Sequence, residues 1–401
     1  MGADADSGRG GDGDGKPGGT ETGTPTSVTR DGVEYTVRWY EPGDGAGFCS
    51  LLEAVTGASR SEEWFDRLYV DGPYLDHVPL VVATAGPDDS VVAVRPFVAF
   101  RVRAGDATET ALLTRDTMVH PDHRRRGLFT TTTEVALRRY VAGEPAFAFS
   151  HSNANSRPGY RKMGWRYFGE RTRYVRVQDP ERFVRGRTRE RIGRVLGPVA
   201  GPLGRGYVGI RDRTASSPSG VEVTRLDEPP VETLASLYER HPPGPVHPVR
   251  DEAYYRWLFS IPTTASLSTY VAAEDGEPVA AAVVTRSRAR GRLDVAEVAE
   301  VVPMDGGRRW RAGLAALLDR AIDDHSDADA VRAAAPPVPR SVLRTRGFLP
   351  NDRLPLAPLS IRKLQLGVRP LVETDRLDDD ASWRLDGRPL DEAVPYLWTL
   401  A

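Results

Sequence analysis

Cysteine and lysine are scarce in this chain of 401 residues. Cys49 is the single cysteine, so the chain cannot form an intramolecular disulfide or hold a metal ion on several thiolates. The sequence around it, residues 48–52, is apolar and compatible with a helix, which favours a buried, inert thiol over a nucleophile. Only three of the 54 basic residues are lysines. We attribute this bias to the base composition of the gene rather than to a function.

Long hydrophobic runs and a strong net charge are also missing. No apolar stretch approaches the ~20 residues of a membrane-spanning helix, and the N-terminus lacks the apolar core of a signal peptide. The formal net charge of -2 gives no reason to expect a nucleic-acid or membrane surface. We therefore expect a soluble, cytoplasmic protein that binds neither nucleic acid nor a membrane.

One basic segment departs from this even distribution of charge. Residues 180–219 are rich in Arg, Gly and Pro, which predicts a linker with one short amphipathic helix at 185–196. Arginine runs without interleaved aromatic residues are more often solvated faces or domain contacts than nucleic-acid sites. Nucleic-acid binding is therefore the least favoured of the functional hypotheses that this sequence raises.

A basic turn at residues 119–130 predicts an anion-binding site. It contains Arg124-Arg125-Arg126-Gly127 and lies between a predicted strand, 114–119, and a predicted helix, 130–141. The first N–H groups of a helix have no partner within the helix, and its dipole favours negative charge there. Neither the lysine of an ATPase phosphate loop nor the glycines of a dinucleotide-binding turn are present. His120 and His123 lack a nearby third ligand, so we predict no metal site.

A second stretch, about forty residues further on, completes a family pattern. The first stretch, as Arg124-x-x-Gly127-x-Phe129, resembles the Arg-x-x-Gly-x-Gly/Ala pyrophosphate loop of the GNAT acyl-CoA N-acyltransferases. The second stretch resembles the family's Asn-x-x-Ala-x-x-x-Tyr-x-x-x-Gly-Phe segment. Its matching positions are Asn153, Ser156, Tyr160, Gly164 and Trp165. Either motif alone is weak, but their order and separation make the resemblance specific over residues 30–178 and weaker over 220–362.

The resemblance implies an α/β fold of two tandem GNAT-type mixed-sheet domains, with acetyl-CoA as co-substrate and no metal. It implies that the strand before the turn pairs with pantetheine, that a backbone N–H near Met118 or Val119 receives the oxyanion, and that the turn holds the pyrophosphate. Phe129 stands where the family has a second small residue. The implied cofactor-binding residues are Met118, Val119, Arg124, Arg125, Arg126, Gly127, Leu128, Phe129, Thr130, Asn153 and Ser156.

Transfer of an acyl group to an amine needs a proton donor for the leaving thiolate and a base for the amine. A free phenol titrates at about pH 10 and is protonated at neutral pH, which makes Tyr160 the candidate general acid. Asp116, on the strand before the turn, and Ser150 or His151, on the next strand, are candidate bases. An aromatic group could line the acceptor pocket, although core packing explains it equally well. This group comprises Trp64, Phe65, Tyr69 and Tyr74.

The chain divides into five predicted segments. Residues 1–27 are a disordered tail, 28–179 a GNAT acetyltransferase domain, and 180–219 the linker. Residues 220–365 form a degenerate GNAT-like domain, and 366–401 a C-terminal extension. In the first domain the predicted order of elements is β-α-α-β-β-β-α-β-α-β, and Arg171 to Val177 is expected to close its sheet.

An internal repeat supports the second domain. Val119-His120-Pro121 aligns with Val301-Val302-Pro303, and Tyr160 through Trp165 aligns with Leu343 through Phe348. This alignment places Gly306 opposite Arg124 and Arg309 opposite Gly127, so the second copy should have lost acetyl-CoA binding.

We therefore expect an N-acetyltransferase that acts on a primary amine of a small molecule. A non-catalytic acyl-CoA sensor is the alternative. The acceptor and the oligomeric state stay open.

Overall fold

Two large β-sheets with flanking helices organise the chain. The computed structural model describes residues 24–141, 143–170, 172–187, 220–289, 293–359 and 364–397. Both sheets contain antiparallel and parallel pairings, which confirms the predicted α/β class with mixed sheets. Most of the predicted N-terminal tail and most of the predicted linker helix lie outside the described residues. No described helix has the length and apolar character needed to cross a membrane.

The first sheet has ten strands, in the order β1-β2-β3-β4-β5-β7-β17-β8, with β6 and β11 paired to β4. All pairings are antiparallel except that of β5 with β7. The strands are β1 Thr26–Arg30, β2 Val33–Trp39, β3 Leu80–Ala85, β4 Ser90–Ala104, β5 Ala107–Thr114, β6 Met118–Val119, β7 Phe147–Ser152, β8 Arg166–Glu170, β11 His247–Pro248 and β17 Gln365–Pro370.

Helices cover both faces of the first sheet. They are α1 Asp44–Thr56, α2 Glu62–Phe65, α3 Leu128–Tyr140 and α4 Arg157–Lys162. A π-helical turn, Asp66–Val70, continues α2. The alternation along β4 divides the core, because Val94 and Val98 face the cluster with α1 and α2, whereas Ala93 and Phe97 face the cluster with α3 and α4. We call these the α1 face and the α3 face.

The second sheet has seven strands, in the order β10-β12-β13-β14-β15-β9-β16. Its strands are β9 Arg173–Val177, β10 Val221–Leu226, β12 Ser266–Glu274, β13 Glu277–Ala289, β14 Leu293–Val302, β15 Ala330–Ala334 and β16 Leu349–Pro350. The helices of this part of the chain are α5 Pro180–Arg187, α6 Val231–Arg240, α7 Glu252–Ser260, α8 Arg308–Asp324 and α9 Arg340–Thr345. Beyond β17 follow a short hairpin, β18 Arg384–Leu385 and β19 Arg388–Pro389, and helix α10 Val394–Leu397.

The two sheets exchange strands. The expectation that Arg171 to Val177 closes the first sheet was wrong, because β9 pairs with β15 and β16 of the second sheet. Its place in the first sheet, between β7 and β8, is taken by β17 from the C-terminal part. Tyr174 and Leu366 are both buried in the sheets they join. An alternating apolar strand fits either sheet, so its pattern does not specify the partner.

The halves also share one apolar core. The cluster on the α1 face contains Phe100 and Phe149 from the first sheet together with Trp257 and Val283 from the second part of the chain. The indole of Trp257 donates a hydrogen bond to the Arg67 carbonyl at 2.8 Å. Burial of apolar side chains from both halves therefore stabilises the contact between the two sheets.

Candidate active site

The strand before the basic turn is broken. The predicted strand 114–119 is in fact the end of β5 at Thr114 and the short strand β6, because Asp116 adopts a left-handed conformation with φ 47°. Up to the pair Thr114↔Ser150, β5 runs parallel to β7. Beyond the break β6 pairs with β4, and no pairing of β6 with β7 occurs within the described part of the chain. Neighbouring strands therefore separate just before the turn.

The turn itself presents backbone amides at the start of α3. Arg125 and Gly127 have φ values of 62° and 79°, and Gly127 is the N-cap of the helix. The N–H groups of Thr130 and Thr131 bond to the Gly127 carbonyl, whereas those of Leu128 and Phe129 have no backbone acceptor among the described residues. Successive amides in such a turn form a concave anion site, and the helix dipole strengthens it.

A cavity of about 640 Å³ adjoins these amides. Nine of the eleven predicted cofactor-binding residues line it: Met118, Val119, Arg124, Arg125, Gly127, Leu128, Phe129, Asn153 and Ser156. A Cβ atom added at Gly127 would meet no atom within 4 Å, so this backbone is open to a ligand. The lining also includes residues that were not predicted to bind the cofactor: Val55, Thr117, His123, Asn155 and Gly159.

The three arginines of the turn have different positions. Arg124 donates through Nε to the Val119 carbonyl at 3.1 Å and still lines the cavity, as does Arg125. Arg126 instead donates to the Tyr35 hydroxyl at 2.7 Å, and that hydroxyl lies 3.0 Å from Nδ1 of His123. Burial, and then the charge of Arg126, lower the pKa of His123. A neutral His123 can accept a hydrogen bond from the Tyr35 hydroxyl. Through Tyr35, Arg126 therefore stabilises the turn instead of lining the cavity.

The tyrosine segment begins with a side-chain turn. The Asn153 carbonyl oxygen Oδ1 accepts from the N–H groups of Asn155 and Ser156, at 2.9 and 3.2 Å. This Asx turn leads directly into α4, and the chain leaves α4 through Gly164 at φ 90°. Asn153 therefore both lines the cavity and sets the start of the helix that carries Tyr160.

Tyr160 lies buried on the α3 face, with 4% of its surface exposed. Its hydroxyl accepts a hydrogen bond from Arg95 NH1 at 2.6 Å and lies 3.1 Å from the hydroxyl of Thr114. Its ring contacts that of Phe129 edge-on, with centroids 5.2 Å apart. Tyr160 is thus placed where β5 ends and the strands separate. Sequence reasoning missed Arg95, although a charged residue inside the apolar strand β4 was a usable signal.

Two of the three candidate bases, Asp116 and His151, belong to the opposite face. Asp116 Oδ2 accepts hydrogen bonds from the Tyr69 hydroxyl at 2.7 Å and from Arg115 Nε at 3.0 Å. Burial, and then the Asp116 carboxylate, raise the pKa of Tyr69 well above its ordinary value, so Tyr69 stays a proton donor. His151 follows Phe149 on the α1 side of β7, with ring centroids 6.1 Å apart, and Ser150 bonds to Ser152 on the other side.

The predicted aromatic acceptor pocket is largely core. Phe65 and Tyr69 are buried in the cluster on the α1 face, and Trp64 packs against that cluster while half-buried. The Tyr74 hydroxyl donates to Asp251 at 3.0 Å, away from the residues that line the cavity. Core packing therefore explains the positions of Phe65 and Tyr69, whereas the side chain of Trp64 is partly exposed.

The second copy of the turn differs from its sequence alignment. Helix α8 begins at Arg308 with Gly307 as N-cap, so Gly307, not Arg309, corresponds to Gly127. The side chain of Arg309 lies in the first turn of α8 and bonds to Glu274. Arg309 therefore does not occupy the phosphate position, which corrects the reason expected for the loss of binding. No cluster of three metal-ligating side chains occurs among the residues that the structure describes.

Comparison with known proteins agrees with this geometry. Residues 36–168, about a third of the chain, match the family described as acetyltransferase (GNAT) domain. A comparison with curated protein sequences found no significant match.

Solved structures resemble the fold over most of its length. A GCN5-related N-acetyltransferase from Anabaena variabilis has a TM-score of 0.56 and 12% identity, with 84% of this chain and 73% of that chain covered. A conserved protein of unknown function from Enterococcus faecalis has the same values. A GCN5-related N-acetyltransferase from Kribbella flavida has a TM-score of 0.50 and 15% identity, with 84% and 71% covered. At this identity the likeness concerns the fold alone.

Proposed function

Because residues 36–168 belong to the GNAT acetyltransferases, whose co-substrate is an acyl-CoA, we propose that this chain transfers an acetyl group from acetyl-CoA to a primary amine of a small molecule. One observation carries the proposal. The amides of the turn, strand β6 and the segment that follows β7 line one cavity, and the Tyr160 ring packs against Phe129 of that lining.

The turn supports binding of the CoA pyrophosphate. The N–H groups of Leu128 and Phe129 and the positive end of α3 favour an anion at Gly127. Arg124 and Arg125 line the same cavity and add positive charge. Asn153 and Ser156 also line it. In our proposal these residues hold the phosphate and pantetheine groups, while Arg126 keeps the turn in place.

The short strand β6 is suited to orient the thioester. One edge pairs with β4, through Ala93↔Val119 and Val94↔Met118. Among the described residues its other edge has no strand partner, so its amides are available to an extended ligand. A backbone N–H near Met118 or Val119 would then donate to the oxyanion that forms when the amine attacks.

Tyr160 and Asp116 are assigned the two proton transfers. Tyr160 would protonate the leaving thiolate, because its hydroxyl lies at the end of β5, beside the strand break. Asp116 would accept the amine proton through water, and its bonds with Tyr69 and Arg115 fix the orientation of its side chain. His151 is the second choice for the base. The two transfers would come from opposite faces of the sheet, which separates the thiol product from the amine.

The sensor alternative keeps one supporting observation. Tyr160 is only 4% exposed and both of its hydroxyl contacts are internal, as expected of a packing residue too. A sensor would bind acetyl-CoA and release no thiol with any amine.

Two measurements test the proposal. Titration calorimetry should find one acetyl-CoA site per chain, since the cavity that the predicted cofactor-binding residues line adjoins the first turn. A thiol-release assay over polyamines, aminoglycosides, amino acids and arylalkylamines should find at least one substrate. Binding without release across the panel would favour the sensor, and two equivalent binding sites would contradict the assignment to the first half.

A further inference from the structure

Arg95 is a buried cation with incomplete hydrogen bonding. Its side chain is fully buried on the α3 face, and NH1 donates to the Thr117 hydroxyl at 2.8 Å and to the Tyr160 hydroxyl at 2.6 Å. Nε and NH2 are also buried and have no hydrogen-bond partner in the part of the chain that the structure describes. Guanidinium groups stay charged in proteins. A buried charge without a counter-ion destabilises a fold, so its presence calls for a functional explanation.

Aromatic rings, rather than a carboxylate, surround this cation. The guanidinium carbon lies 4.9 Å from the ring centroid of Tyr160, 5.2 Å from that of Phe129 and 5.4 Å from that of Phe97. Ring faces attract a cation but provide no full negative charge. No described carboxylate forms an ion pair with Arg95. The site is therefore electrostatically prepared for a negative charge that is absent in the resting protein.

The second half shows that the architecture does not need this arginine. Val119 pairs with Ala93 in the first sheet, and the equivalent Val301 pairs with Ala282 in the second. Two residues further along each strand stand Arg95 and Val284. Val284 and Leu343, the counterpart of Tyr160, are both buried in one apolar cluster. An apolar pair therefore fills the same place in the fold.

We propose that Arg95 is the positioning residue of the general acid, which rests on the proposed function above. A guanidinium can only donate, so the Tyr160 oxygen accepts from Arg95 and its own proton must point elsewhere. In the acyl transfer the amine forms the C–N bond and gives a proton to the base. The C–S bond breaks with its electron pair moving to sulfur, and sulfur takes the Tyr160 proton. Arg95 and Thr114 stabilise the resulting phenolate until solvent reprotonates it.

The test is a double-mutant cycle on kcat in the full chain. Arg95→Met keeps the stem and its packing on Phe129 and should lower kcat about 10-fold to 10²-fold, with the KM for acetyl-CoA unchanged. Arg95→Lys, which keeps the charge, should recover part of that loss. In a Tyr160→Phe background, Arg95→Met should change kcat by less than about threefold, because its effect passes through the missing hydroxyl.

A matched control lies on the same strand. Arg101→Met removes an exposed arginine of β4 and should leave kcat unchanged. The melting temperature of Arg95→Met should equal or exceed that of the parent, since the change removes an unpaired buried charge.

Two outcomes would overturn the proposal. If the kcat losses of the two single variants multiply in the double variant, Arg95 acts independently of Tyr160 and is a structural residue. A loss of acetyl-CoA binding in Arg95→Met would lead to the same conclusion. Full kcat in Arg95→Met, while Tyr160→Phe is impaired, would also reject it and leave the acid assignment intact. If Tyr160→Phe itself keeps full kcat, the assignment of Tyr160 as general acid in the proposed function is rejected. The single variant Tyr160→Phe alone gives this result, so it can be told apart from the two outcomes above.

Discussion

The two halves of the chain build the same strand–turn–helix unit with different backbones in the turn. From Val119 to the N-cap Gly127 there are eight positions, and from Val301 to the N-cap Gly307 there are six. Gly127 is left-handed, at φ 79°, whereas Gly307 is extended, at φ -80° and ψ -156°. With two fewer residues, the second turn enters its helix without the left-handed glycine of the first. Loop length and backbone conformation, more than charge, therefore distinguish the two helix termini.

The short helices that follow, α4 and α9, end in the same turn but carry different side chains. The N–H of Trp165 bonds to the Tyr160 carbonyl at 3.1 Å, and that of Phe348 bonds to the Leu343 carbonyl at the same distance. Tyr160 and Leu343 are both buried. The same backbone therefore carries a phenol in one half and an aliphatic side chain in the other. Apolar packing maintains the repeat, and a few polar side chains add chemistry to one copy.

The largest expected effect comes from the N-cap glycines. Gly127→Glu should raise the Kd for acetyl-CoA by more than about 10²-fold, because it places a carboxylate at the proposed phosphate position. Gly307→Glu, at the second helix, should leave the Kd unchanged. Gly127→Ala measures the strain of a left-handed alanine alone, which costs roughly 1–2 kcal/mol. Calorimetry on folded protein decides, and normal binding by Gly127→Glu would reject the site.

The next effect concerns the two helix–turn units. Tyr160→Phe keeps the ring and removes the hydroxyl, so kcat should fall about 10²-fold while the KM for acetyl-CoA hardly changes. Leu343→Met is the matched control in the second half and should retain parental kcat. Steady-state kinetics on an authentic amine provide the measurement. If kcat survives in Tyr160→Phe, another group protonates the sulfur.

A stability effect tests the strand exchange. In β17, a methyl group at Gly367 would lie 2.8 Å from the Tyr167 ring and 3.0 Å from the Ser150 hydroxyl. Gly367→Ala should therefore lower the free energy of unfolding by about 1–3 kcal/mol. Gly143→Ala meets no atom within 4 Å and serves as the control. Denaturant unfolding gives both values, and equal stability would contradict the position of β17 beside β7 and β8.

The last effect is a change in the slope of stability against pH, and it depends on the contact between the halves. His247, on β11, donates through Nδ1 to the Pro245 carbonyl at 2.7 Å, and its Nε2 lies 2.9 Å from the Tyr238 hydroxyl. Burial lowers the pKa of His247 to about 4, with a smaller contribution from the charges of Arg250 and Arg103 and against the hydrogen bond to Pro245. An unfolded histidine titrates near pH 6.5, so the unfolded chain binds the proton first.

This contribution to stability is present above about pH 6.5 and is lost as the pH falls towards 4. It amounts to at most about 3 kcal/mol. In His247→Gln the free energy of unfolding should fall less steeply over that range than in the parent. The exposed His241→Gln is the control and should keep the parental slope. An unchanged slope in His247→Gln would show that this contact does not control the acid sensitivity.

Local signals predicted many elements of the first half. Its main helices and most of its strands fall near their expected positions, because periodicity, caps and turn residues act over a few residues. The expected helix at 47–55 lies within α1, and the strand at 91–102 within β4. The break at Asp116 was not predicted, because Asp116 adopts a left-handed conformation and no neighbouring glycine indicates a turn there.

The amino-acid sequence by itself determined the α/β class, the turn before α3 and most residues of the cavity. These features depend on contiguous residues whose spacing is visible in the chain. Only the tertiary structure decided that β9 and β17 exchange sheets, that Arg126 turns away to Tyr35, and that Arg95 meets the Tyr160 hydroxyl. Arg95 and Tyr160 are 65 positions apart, and their contact arises only when β4 and α4 pack on the same face.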